Sequence, residues 1–283
     1  MGELLLDGVI DTIKIIPFLF LTYLLMEYLE HKTSEKTKKI IRRAGKMGPL
    51  FGGILGVIPQ CGFSAAAASF FSGRVITVGT LIAVFLSTSD EMLPILISSQ
   101  ADISVILWIL AVKAMYGVLA GFLIDFLFRG FNRRKIGENI HELCVDEHCG
   151  CEESIWKSAL HHTGSIALFL FCVTLVLNLI IEFTGMETLG GLIFNQPVLG
   201  PLLSGMIGLI PNCAASVVIT TLYMEGAMSA GAMMAGLLVG AGVGLLVLFR
   251  TNKSLKENMQ ITGILYLFGV LGGILADGLG LLL

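Results

Sequence analysis

Slid against itself by 152 residues, the chain aligns two blocks in one register without a gap. Gly53-Ile54-Leu55-Gly56-Val57-Ile58-Pro59-Gln60-Cys61-Gly62-Phe63-Ser64 lies over Gly205-Met206-Ile207-Gly208-Leu209-Ile210-Pro211-Asn212-Cys213-Ala214-Ala215-Ser216, six of twelve positions identical. Gly117–Asp125 lies over Gly269–Asp277, six of nine identical. A Leu-, Gly- and Ala-rich sequence yields single chance matches, but two in one register indicate a duplication whose halves fold alike. Each half holds four apolar runs, in the first about 8–30, 48–72, 75–97 and 104–128. A helix needs ~20 apolar residues to cross the hydrocarbon core, and these runs are continuous, without the alternation of barrel strands. Soluble domains carry ~25% charged residues; this chain carries 14%, with 55% hydrophobic residues and a mean hydropathy of +0.87. The expected class is an all-α polytopic membrane protein in contact with the lipid bilayer. A water-soluble enzyme is excluded, and a net charge of -3 argues for no nucleic-acid partner.

Short cytoplasmic loops collect Lys and Arg, which orients the halves. Lys32, Lys36, Lys38, Lys39, Arg42, Arg43 and Lys46 mark one loop as inside, and its counterpart 184–198 has no basic residue. Conversely, 98–103 has none, whereas its counterpart carries Arg250, Lys253 and Lys256. Arg74 stands opposite Gly226 and follows the same rule, and Arg129, Arg133, Arg134, Lys135 and Lys157 place the joining loop inside. Sidedness is swapped, so the expectation is two inverted-topology repeats: residues 1–128, a cytoplasmic linker 129–160, and residues 161–283. Both termini are then outside the cytoplasmic (inner) membrane, with no cleaved leader or lipid anchor expected. Inversion needs an odd number of crossings per half, so one of four runs cannot cross simply. Pro59-Gln60-Cys61-Gly62 and Pro211-Asn212-Cys213 are the breaking points, since proline removes a helical hydrogen bond. Each half is read as about five helical segments, with a broken or re-entrant helix at its Pro-Gln-Cys or Pro-Asn-Cys turn.

Irregular backbone at membrane depth is tolerated only against protein or a water-filled cavity, and inverted repeats build midplane sites from such breaks. Gln60, Cys61 and Ser64 with Asn212, Cys213 and Ser216 are therefore the candidate substrate ligands. Thiolates suit soft metals, and the competing reading is that Cys is a small filler at a tight crossing. The segment Ser87-Thr88-Ser89-Asp90-Glu91-Met92-Leu93-Pro94 puts acids and hydroxyls inside an apolar span. An intramembrane acid is a functional candidate by default, so Ser87, Ser89, Asp90 and Glu91 form a candidate ion-coupling group, with Lys113 as counter-ion. The other reading places the acid pair at the outer water boundary. Gly236–Gly244 reads as a small-residue ladder for helix packing, and Asp125 and Asp277 as caps or interface anchors. In the linker, His141, Cys144, His148, Cys149 and Cys151 form a metal-capture candidate, although the spacing is not a zinc-finger one; a plain linker is the alternative.

Ile16-Pro17-Phe18-Leu19-Phe20-Leu21-Thr22-Tyr23-Leu24-Leu25-Met26-Glu27-Tyr28-Leu29-Glu30, together with the Pro59–Ser64, Ser87–Pro94 and Pro211–Cys213 motifs, resembles the ten-transmembrane heavy-metal exporters. Proteins of that resemblance are called arsenic efflux proteins and, in some cases, manganese transporters. The turns also look like those of the organoarsenical permeases, which carry a denser cysteine motif. The resemblance implies ten helices and export of a metal or metalloid. With no GxxxxGK[ST] segment for nucleotide, the expected function is secondary transport of an arsenic-type species across the cytoplasmic membrane by alternating access, coupled to H+. No cofactor is expected, and a homo-oligomer is compatible with the sequence. A manganese(II) exporter with oxygen ligands is the main alternative. A membrane-embedded Cys enzyme is disfavoured because no intramembrane His lies near the cysteines. A cytosolic metal sensor is a third rival.

Overall fold

The computed structural model describes residues 47–58, 61–89, 92–100, 102–128 and 196–280, with scattered positions between 13 and 24 and between 160 and 172. Helix is the only regular structure among them. The first half contributes α1 (Gly48–Gly56), α2 (Cys61–Ser72), α3 (Val78–Ser87), α4 (Met92–Ser98) and α5 (Ile103–Leu127). The second contributes α6 (Leu199–Gly208), α7 (Cys213–Met224), α8 (Ala230–Val239), α9 (Val243–Thr251) and α10 (Leu255–Gly278). Advancing any first-half helix by 152 residues brings its start within one residue of a second-half helix.

Matched local chemistry causes the matched boundaries. A short polar side chain ahead of a helix satisfies an amide that has no intrahelical partner. Thr77 Oγ1 accepts from Thr80 N, and its equivalent Ser229 Oγ accepts from Ala232 N, both at 3.1 Å. Asp125, near the end of α5, accepts from Gly79 N at 2.9 Å and Thr77 Oγ1 at 2.7 Å. Asp277 does the same on α10 with Gly231 N at 2.6 Å and Ser229 Oγ at 3.1 Å. The two aspartates are therefore caps, as one of their sequence readings had it. We expect Asp125→Ala and Asp277→Ala each to cost about 1–2 kcal/mol, the usual loss for a cap. Thermal unfolding of the detergent-purified protein measures this, and an unchanged midpoint in both would refute the capping role.

The ends of α2 and α7 also match. Val75 N bonds back to Phe70 O, and Ala227 N to Leu222 O, both at 2.9 Å. Between them Arg74 and Gly226 take positive φ, 58° and 73°. This is the left-handed helix stop that usually takes glycine; the first half uses arginine there.

All of α3 is buried, and so is nearly all of α8. α3 packs on α1 and α5, and α8 on α6 and α10. Close approach is built in: a Cβ on Gly117 would stand 2.9 Å from Ala83 O, and one on the equivalent Gly269 would stand 3.4 Å from Ala235 O. Small residues let membrane helices meet backbone to backbone in this way. Between the halves, α2 lies against α9, and the equivalent pair α7 and α4 also meet. Each half thus gives a helix to the other. Leu107, Trp108, Met115, Leu119 and Phe126 of α5, with Met259, Leu267 and Leu275 of α10, remain exposed, as an apolar face toward lipid requires. Val78–Ile97, Ile103–Leu127, Ala230–Thr251 and Leu255–Gly278 are long and apolar enough to cross a membrane. The protein is a multi-pass membrane protein, with helix as the regular structure of its described residues.

Candidate functional site

Four short helices end at Gly56, Ser87, Gly208 and Val239, and the next helix begins within five residues of each. Around the Pro-Asn-Cys turn, Ile210 N reaches Ile207 O, and Asn212 N reaches Ile210 O at 2.7 Å, short of the helical acceptor four residues back. The helical ladder stops there and restarts at Cys213. The mid-span interruption in the second half falls at Gly240-Ala241-Gly242, with Gly242 at a φ of 52°. The stretch Gly236–Gly244 is the close-packing surface its small residues suggested, and it also carries this interruption.

Named contacts connect the four breaks. Ser89, almost fully buried, donates from Oγ to Val57 O at 2.7 Å, joining the second break to the first. Lys113, fully buried in α5, donates from Nζ to Thr88 O and, at 2.9 Å, to Leu237 O. It therefore bridges the break after α3 to the last turn of α8, in the other half. Gly240 stands against the first turn of α7, where a Cβ would lie 3.5 Å from Ser216 Oγ. The start of α9 stands against the first turn of α2: a Cβ on Gly244 would lie 2.8 Å from Ser64 Cβ.

The buried hydroxyls at the end of α3 find acceptors within its last turn. Ser87 Oγ donates to Ala83 O at 2.8 Å and Val84 O at 3.1 Å, and Thr88 Oγ1 to Val84 O at 2.8 Å. A buried hydroxyl without a partner is costly, and these two meet that need inside their own helix.

Of the candidate ligands, Ser64 and Asn212 are buried, Ser216 is half-buried, and Cys61 and Cys213 are the first residues of α2 and α7. The Cys61 and Cys213 side chains, Gln60, Asp90 and Glu91 lie outside the described residues. So do His141, Cys144, His148, Cys149 and Cys151 of the linker. Among the described residues no group of three or more His, Cys, Asp or Glu gathers as a metal site.

A second polar cluster, which sequence reasoning did not single out, joins the halves away from the breaks. Arg74 Nη1 and Nη2 donate to Glu257 Oε1 and Oε2 at 2.9 and 2.8 Å, a bidentate pair with side chains 16% and 4% exposed. Asn252 Nδ2 donates to Glu257 Oε2 at 3.2 Å and to Asn258 Oδ1 at 2.6 Å. Ser72 Oγ and Thr251 Oγ1 share a hydrogen bond of 2.6 Å beside it. The signal available in sequence was an acid directly after the basic cluster Arg250, Lys253 and Lys256. At the equivalent positions of the other half stand Gly226 and Val105, which cannot form such a pair.

A family model described as "Putative, 10TM heavy-metal exporter" matches residues 3–186. No curated protein and no solved structure matches the chain.

Proposed function

The chain belongs to the family of ten-transmembrane heavy-metal exporters, and from that premise we propose that it is a secondary transporter expelling an arsenic-type soft metalloid across the cytoplasmic membrane. The observation that carries the reading is the linkage of four helix interruptions, two from each half, through Ser89, Lys113 and the Gly240 and Gly244 contacts. Broken helices meeting at the interface of two repeats are how such transporters form midplane sites. Cys61 and Cys213, each opening a helix beside a break, are proposed to contact the substrate through sulfur, with Gln60, Ser64, Asn212 and Ser216 in support. Ser87, Ser89, Asp90, Glu91 and Lys113 are proposed as the ion-coupling group, with H+ as the coupling ion.

The halves are proposed to have inverted topology and to rock against each other. Tyr116 Oη donates to Phe268 O at 2.6 Å, a contact between positions exactly one repeat apart, as a two-fold relation would produce on its axis. Arg74, Arg250, Lys253 and Lys256 share the side that the basic-residue bias assigns to the cytoplasm. The Arg74–Glu257 pair would then close the cytoplasmic end of the interface in this conformation.

The test is elemental mass spectrometry of efflux-deficient cells expressing the native chain, a variant lacking residues 138–153, or an empty vector. Cells with the native chain should hold several-fold less arsenic than vector cells. The loop deletion should weaken that difference without removing it. If the deletion abolishes it, the sensor reading of the Cys/His loop gains; if manganese alone falls, the substrate is Mn²⁺ and oxygen ligands bind it.

A further inference from the structure

Lys113 is among the largest fully buried side chains of the protein, and its position one repeat on is occupied by Leu265, which is also fully buried. The symmetry of the repeat is therefore broken at this position, an ammonium group in one half standing where the other has an apolar side chain. Both carbonyl partners of the ammonium are products of helix breakage. In an unbroken α8 the carbonyl of Leu237 would accept from Ala241 N, four residues on. Instead Ala241 N bonds Val239 O at 2.7 Å, because Gly240 leaves helical geometry at a ψ of 80° and turns the following amide away. Lys113 Nζ takes the Leu237 carbonyl at 2.9 Å. Its other partner, Thr88 O, lies just beyond the end of α3, where Thr88 has left helical geometry at ψ 132°. The ammonium thus sits where two helices end, and helix C-termini carry partial negative charge. Backbone carbonyls converging from unwound helices are also the groups with which transporters coordinate small cations.

We infer that the ends of α3 and α8 form a monovalent-cation site occupied by the chain's own Lys113 ammonium, which makes Lys113 a positioning residue joining the two halves. The ligand class follows from the ammonium itself and the carbonyls it holds: with the side chain shortened, the Thr88 and Leu237 oxygens would accept an alkali cation or a small alkylammonium. The inference deepens the proposed transport function, since the same breaks frame the proposed substrate ligands, but its first test needs no substrate.

Detergent-purified Lys113→Ala is melted in choline chloride and in sodium, potassium or ethylammonium chloride at equal concentration, beside the native protein and Lys113→Met. In choline, Lys113→Ala should melt well below the native protein. At least one of the three smaller cations should restore half or more of that loss with a saturable dose dependence, as binding to the folded state requires. The native protein and Lys113→Met should not distinguish the salts. The inference is overturned if Lys113→Ala responds no more than Lys113→Met, or if Lys113→Met is as stable as the native protein. Should Lys113→Ala not be recovered from membranes, Lys113→Met decides: a lowered midpoint supports a required cation, and a native or higher one refutes it. Arsenite efflux in vesicles containing Lys113→Ala, with and without ethylammonium, is the second reading. Salt-specific stabilisation with no arsenite transport by the native chain would refute the transport proposal alone. Native transport without salt-specific stabilisation would refute the cation site alone.

Discussion

Replacing Cys61 and Cys213 together by serine should abolish arsenic efflux, returning cellular arsenic to the level of vector-only cells. Arsenic(III) in water is held by hydroxides, and each thiol that displaces one forms an As–S bond and releases water. A serine hydroxyl offers a hard oxygen in the same place and regains nothing over the hydroxide it would replace. Soft donors confer this discrimination. The two cysteines open α2 and α7 at equivalent positions, and each of those helices packs on a helix of the other half, α2 on α9 and α7 on α4. Single replacements should therefore be intermediate, each leaving one As–S contact. The informative control is protein abundance in the membrane: Ser and Cys are close in volume, so the double variant should accumulate normally. Unchanged arsenic efflux by a normally abundant double variant would make the cysteines packing residues, and full loss from one replacement with no effect of the other would refute an equivalent pair.

How much of this was legible beforehand divides along the range of the interactions. Caps and stops act within a few residues or recur in both halves, so Thr77 with Asp125 and Ser229 with Asp277 could be read as matched signals at one offset. The end of α6 shortly before Pro211 was legible for the same reason, because proline lacks the amide that the ladder needs. The break at Gly240–Gly242 was not. Glycine and alanine in a membrane helix serve close packing and unwinding equally, and the group that takes the freed Leu237 carbonyl is Lys113, 124 residues away. Arg74 at a positive φ was hidden as well, since arginine carries no signal for that backbone. Its role in topology came from charge alone, and its partner Glu257 lies 183 residues on. Charge sidedness and the partnership agree, because both need Arg74 at the end of the molecule that holds Arg250, Lys253 and Lys256.

Glu257→Ala should be the most destabilising single substitution among the polar residues described. It leaves the Arg74 guanidinium without its bidentate partner in a setting where little water can replace it, and breaking such a buried pair costs about 3 kcal/mol or more. Asn252 loses an acceptor at the same time. Arg74→Ala strands the carboxylate, which keeps the Asn252 amide and so fares slightly better. The double variant Arg74→Ala/Glu257→Ala should lose less than the sum of the single losses, because neither charge is then stranded, and contacting residues show such coupling. If the two single losses add, the pair is not the unit of stability described here. The same variants report on the proposed rocking motion. Ser72 stands beside the pair, half-buried and bonded to Thr251, so Ser72→Cys should react slowly with a membrane-impermeant maleimide applied from the cytoplasmic side. On a Glu257→Gln background, which weakens the pair while sparing much of its shape, labelling should accelerate several-fold as the halves part at that end. Equal labelling in both backgrounds would mean that this end does not open. The interface would then be a fixed joint, and alternation would have to come from the broken helices themselves.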